Sequence, residues 1–138
     1  MKKITIMSRT QAIKYCHQPH DRQSVMIAIA TPLTQYNSAP FVSVRNKIQN
    51  ILRLEFEDAS EGDGIMTERD AKAVADFVRK YAGTEHIIVH CDAGRSRSAG
   101  VAAAIMKYEN GDDFVIFNDP GYEPNGHCYR MTLSAFGF

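Results

Sequence analysis

The sequence predicts an α/β fold, a single domain with a largely parallel central sheet flanked by helices. Three observations predict it. Strand-length apolar or alternating runs recur along the chain, with stretches of helical spacing between them. The run 24–30 is apolar nearly throughout, as a strand covered on both faces must be. The stretch 98–108 is apolar nearly all round, as a helix buried mid-domain must be. At 138 residues the chain fits one domain, and no linker, repeat or low-complexity tract divides it.

The elements follow in order. Lys3 to Met7 alternates like a short strand. Ser8 with Gln11 forms a capping box that opens a short helix to about Tyr15. After the strand Ser24 to Ala30, the stretch Thr31 to Pro40 is rich in proline and small polar residues and reads as a loop. Ile51 to Phe56 sets Leu52, Leu54 and Phe56 on one face, with Arg53 and Glu55 on the other. An acidic, glycine-containing loop follows from Glu57 to Gly64. Thr67 with Asp70 caps the next helix, whose inner face carries Ala71, Val74, Phe77, Val78 and Tyr81, with Gly83 as its stop. His86 to His90 is another apolar strand, and Asn125 to Phe136 a closing helix.

Acids and bases balance to a formal net charge of zero, so nothing draws the chain broadly toward nucleic acid or an anionic membrane. Attraction for an anionic substrate must be local. The apolar stretch after Lys2 and Lys3 is too short for a signal peptide, and no run is long enough to span a bilayer. A soluble, cytoplasmic protein is expected. Cys16, Cys91 and Cys128 are widely spaced and odd in number, which argues against a disulfide framework.

The chemistry concentrates in His90-Cys91-Asp92-Ala93-Gly94-Arg95-Ser96-Arg97-Ser98. A strand end, a five-residue loop and a helix start can curl the backbone N–H groups of Asp92, Ala93, Gly94, Arg95, Ser96 and Arg97 around one anion. Gly94 relieves the curl, and Arg97 closes it with a planar fork of donors matched to phosphate oxygens. Cys91 at the bottom gains from the same donors a thiolate of lowered pKa, and Ser98 can donate to its sulfur. His90 is expected to hydrogen-bond the loop and help set the Cys91 pKa. By average residue frequencies, so many constraints coincide by chance on the order of 10⁻⁵ per cysteine. An arginine at a helix N-terminus also opposes the helix dipole unless an anion is present.

His90 through Ser98, continuing into Ala99-Gly100, resembles the signature of the protein tyrosine phosphatase superfamily in its compact dual-specificity branch. The resemblance covers roughly residues 51–138. It implies a metal-independent phosphatase without cofactor. Its substrate would be a phosphorylated protein or small phosphate ester, and phosphate or sulfate would occupy the loop. It also implies an aspartic acid about thirty residues before the cysteine as general acid, for which Asp58 and Asp63 both qualify. Asp58 directly follows the strand ending at Phe56 and has the better reach. Pro124-Asn125 resembles the pair opening the family's last helix, which implies that Asn125 supports the loop from behind. Asp92 departs from the ideal: its side chain is expected to point away from the phosphate, lest it oppose the thiolate. Members acting on phosphoinositides carry lysines in this loop. Asp92 and Arg95 here favour other substrates.

No metal site is expected. His86 and His90 on one strand stand about 13 Å apart. Cys16, His17 and His20 lack a completing ligand set, while His127 and Cys128 are expected on a helix surface and in the core. Tyr36, Phe41 and Tyr122 could line the substrate mouth or simply pack. Alternatives to hydrolysis are a phosphate-binding module and a redox protein (arsenate reductase-like or rhodanese-like) using the same anion loop.

Overall fold

The computed structural model describes residues 2–18, 23–32 and 50–138. The elements are β1 (Lys3–Ser8), α1 (Arg9–Cys16), β2 (Ser24–Ala30), β3 (Ile51–Glu55), α2 (Glu68–Lys80), β4 (His86–Cys91), α3 (Arg97–Asn110), α4 (Phe114–Phe117) and α5 (Gly126–Ala135). The strands form one sheet in the order β1-β4-β2-β3, and every pairing is parallel. The α/β expectation holds.

β4 lies between β1 and β2 and is buried along its whole length. Alternate side chains of β2 serve different layers. Val25, Ile27 and Ile29 join Leu54, Phe56, Ile87 and Val89 in the main core, under Val74 and Val78 of α2 and the buried residues of α3. Met26 and Ala28 face the other way, where Ala12 and Cys16 of α1 cover them. A strand used on both faces needs apolar residues at consecutive positions, which explains the unbroken run in 24–30.

Both capping boxes form. Ser8 Oγ accepts from Gln11 N at 3.2 Å, and Ser8 N donates to Gln11 Oε1 at 2.8 Å. Thr67 and Asp70 exchange the same pair at 3.2 and 2.9 Å. Gly83 is not the stop of α2. That helix ends at Lys80 with Tyr81 as its cap, and Ala82 N then donates to Arg79 O and Thr84 N to Tyr81 O. Short-range turn bonds satisfy the last carbonyls, so no left-handed glycine is required. The one-turn α4 has no counterpart among the expected elements. It exposes Phe114, Val115 and Phe117 instead of an inward stripe, so no periodicity announces it. Among the described residues, no helix is long and apolar enough to cross a membrane.

Candidate active site

The site forms where β4 ends and α3 begins. Register pairs Ser8 with Cys91, so the end of β1 lies beside the loop, and Arg9 N donates to Asp92 O at 3.1 Å. Gly94 turns through φ +71°, and a Cβ there would meet Ser8 N at 2.6 Å and Met7 C at 2.7 Å. The loop therefore rests directly on the β1 backbone, and only glycine fits at this contact.

Cys91 is 2% exposed. Its Sγ lies 3.1 Å from Ser98 Oγ, and Gly94 N donates to it at 3.3 Å. Burial alone would raise the thiol. The Ser98 hydroxyl and the N–H groups of Ser98, Gly94 and Arg95 outweigh it and hold the Cys91 pKa below the ordinary thiol value. Cys16 and Cys128 are opposite cases: burial pushes them up to about 11 and about 12. All three cysteines are buried and free.

His90 hydrogen-bonds the backbone at the start of the loop. Its Nδ1 donates to the Cys91 carbonyl at 3.4 Å, which fixes that nitrogen as the protonated one, since a carbonyl only accepts. Burial lowers its pKa from 6.5 to about 4, Arg9 and Arg53 adding to the fall while the Cys91 carbonyl and Asp92 oppose it. The folded chain thus refuses a proton that the unfolded chain accepts. Stability is expected to fall as pH drops from about 6.5 to about 4, by roughly 3 kcal/mol through this one group. Denaturant unfolding at pH 7 and pH 4.5 checks it. His90→Asn should lose that share of the pH dependence, and an equal slope in both proteins would disprove the assignment.

Arg97 is 5% exposed at the first position of α3. Nη1 donates to Phe56 O at 2.8 Å and Nη2 to Asp92 Oδ2 at 3.2 Å. Its Nε is buried with no hydrogen-bond partner among the described residues, as suits a donor aimed at an anion. The Asp92 side chain turns toward Arg97. A buried guanidinium needs a countercharge, and Asp92 is the carboxylate paired with it. The same Oδ2 accepts from Thr31 Oγ1 at 2.7 Å.

Asp58, Ser96 and Asn125 meet on the other side of the loop. Asp58 Oδ1 accepts from Ser96 Oγ at 2.7 Å and from Asn125 Nδ2 at 2.9 Å. Asn125 caps α5, its Oδ1 accepting from Cys128 N, and its Nδ2 also reaches Ala59 O at 3.2 Å. Its own N–H donates to Ser96 O, and Glu123 N donates to Arg95 O, so residues 123–125 strap the loop to α5. Behind the strap, a Cβ on Gly100 would meet Asn125 O at 2.5 Å, which is why α3 and α5 can approach so closely. Asp63 is exposed between Gly62 and Gly64, both at positive φ, and the structure gives it no hydrogen bond to the loop. Arg95 pairs with Glu123 at 3.3 Å.

No family model and no curated protein sequence matches this chain. Solved structures do. PTPMT1 in complex with PI(5)P superposes with a TM-score of 0.60 at 16% identity, over 97% of this chain and 90% of that one. The Cydia pomonella PTP-2 phosphatase gives 0.61 at 14%, over 97% and 86%. Human DUSP28 gives 0.58 at 16%, over 96% and 90%. The chain has the compact dual-specificity-type phosphatase fold. Within that phosphatase fold, the cysteine loop stands at the carboxyl end of the central strand, where a parallel sheet places its ligands.

Tyr36, Phe41 and His20 fall outside the described residues. Tyr122 packs, half-buried, against the main core. His127 is half-buried, its Nε2 donating to Met66 O at 2.8 Å. Among the described residues, no group of three or more His, Cys, Asp or Glu is arranged to hold a metal. Thr31 escaped the sequence reading because its partner Asp92 is 61 positions away and no local pattern links them.

Proposed function

We propose that the chain is a cysteine-dependent phosphatase that hydrolyses phosphate monoesters through a phosphocysteine intermediate. The observation that carries the reading is the Cys91 sulfur. It is buried at the base of the loop, receives hydrogen bonds from Ser98 and Gly94, and has its thiolate favoured.

The thiolate attacks phosphorus in line, forming the S–P bond as the P–O bond to the leaving group breaks. The loop amides and the Arg97 guanidinium hold the equatorial oxygens. Asp58 delivers a proton to the departing alkoxide or phenolate. Its Oδ1 is taken by Ser96 and Asn125, which leaves Oδ2 to face the substrate. Water then attacks phosphorus, giving a proton back to Asp58, and sulfur leaves as thiolate assisted by the Ser98 hydroxyl. Arg97 and the amides supply the positive charge a metal would otherwise provide, so the reaction is assigned as metal-independent.

A phosphorylated protein, with phosphotyrosine foremost, suits this site better than a phosphoinositide. The loop has no lysine, and the Glu123 carboxylate 3.3 Å from Arg95 adds negative charge where a second phosphate would have to sit. A redox reading lacks a resolving thiol, since Cys16 and Cys128 are buried and held protonated.

The test is steady-state hydrolysis of p-nitrophenyl phosphate in EDTA and reductant, with acid quench of a ³²P-labelled aryl phosphate. Turnover with label on Cys91 is expected. Binding of phosphate without turnover would sink the proposal and leave a phosphate-binding module.

A further inference from the structure

We infer that Thr31 and Asp92 are positioning residues that aim Arg97 at the phosphoryl group, an inference that rests on the phosphatase reading above. The guanidinium carries five N–H donors in one plane, and phosphate is best held by the Nε edge with one Nη. Arg97 is nearly inaccessible, so its orientation must be set by fixed partners and not by solvent.

Those partners come from three strand ends. The Phe56 carbonyl, just beyond β3, takes Nη1 at 2.8 Å. Asp92, just beyond β4, takes Nη2 at 3.2 Å. Thr31, just beyond β2, donates to the same Asp92 Oδ2 at 2.7 Å. One bond to Phe56 alone would leave the plane free to swing about that contact. The second bond, itself fixed by Thr31, stops the swing. Three N–H groups remain, the buried Nε–H and one on each Nη, and of these Nε and Nη2 stand side by side on one edge.

Asp92 therefore acts in two opposed ways. Its bond fixes the geometry that the transition state needs, while its charge, shared with Arg97, weakens ground-state attraction for a phosphate dianion. Loss of the side chain should separate kcat from binding. Asp92→Ala is expected to lower kcat about 10- to 100-fold, the scale of a small misplacement of a catalytic group. Inhibition by inorganic phosphate should stay the same or tighten. Asp92→Asn keeps an oxygen acceptor for both Thr31 and Arg97 and should recover most of kcat. Thr31→Val should cost a few-fold in the wild type, roughly 3 to 10, and nothing further in the Asp92→Ala background.

The experiment is kcat and the phosphate inhibition constant for these variants and the double mutant, with thermal melts to show that each folds. Equal loss in Asp92→Ala and Asp92→Asn, or a Thr31→Val effect that persists without Asp92, would overturn the inference. So would an unchanged kcat in Asp92→Ala. A wild type without any turnover overturns the phosphatase reading itself, and an active wild type with insensitive variants overturns the inference alone.

Discussion

Cys91→Ser is expected to lower turnover of an aryl phosphate by about 10⁴-fold or more, the scale of losing a nucleophile outright. The substituted hydroxyl is similar in size and can accept from Gly94 N and Ser98 Oγ, so the loop should stay closed. Its proton, however, stays on far above neutral pH. The same donors that favour a thiolate cannot bring a serine alkoxide into range. Among the described residues, neither Cys128 nor Ser98 can replace the sulfur: Cys128 is fully buried and pushed up to about 12, and Ser98 is buried against Sγ. Initial rates together with a melting curve give the answer, and a folded mutant within tenfold of wild type would end the mechanism. Iodoacetate alkylation adds an independent reading. Because the Cys91 pKa lies below the ordinary thiol value, the wild type should react at pH values where a free thiol is still protonated.

Asp58→Asn is expected to lower kcat by about 10²- to 10⁴-fold through loss of acid catalysis. The amide oxygen can still accept from Ser96 and Asn125, so the strap behind the loop persists and the defect should lie in proton delivery. It should therefore grow with the basicity of the leaving group. Alkyl phosphates should suffer most and nitrophenyl phosphate least, since a nitrophenolate hardly needs the proton. Asp63→Asn is the comparison: Asp63 has no bond to the loop in the structure and its loss should leave kcat within about twofold. A fall in Asp63→Asn with no fall in Asp58→Asn would transfer the role.

What could be read in advance divides by the range of the determining interaction. Ser8 with Gln11 and Thr67 with Asp70 are closed within three residues, so each box was visible as a pattern. The two-faced use of β2 showed as its unbroken apolar run. The loop from His90 to Ser98 was legible because anion binding, nucleophile and closing arginine come from one contiguous stretch. The partners of Asp92 were hidden for the converse reason. Locally it repels a thiolate, but its actual place is decided by Arg97 and by Thr31, which no spacing rule connects to it. Gly83 misled as a helix stop because turn bonds after Lys80 already satisfy the carbonyls. The partners of Asn125 were equally hidden, since its bond to Asp58 joins residues 67 apart in sequence.

The strap from Glu123 to Asn125 and the seat of Gly94 on β1 also bear on how the protein is made. The loop is gripped from both sides by segments far apart in the order of synthesis. β1 waits for β4 before it can pair, and the loop waits for α5 before Asn125 can hold Ser96 and Asp58. Such long-range pairing makes folding slow relative to helical bundles. A nascent chain that has not yet delivered α5 therefore carries its cysteine loop without the Asn125 contacts to Ser96 and Asp58. On the mechanism proposed above, the loop donors around Cys91 are local, but Asp58 gains its Asn125 contact only as α5 docks, so activity would report that both sides of the loop have assembled.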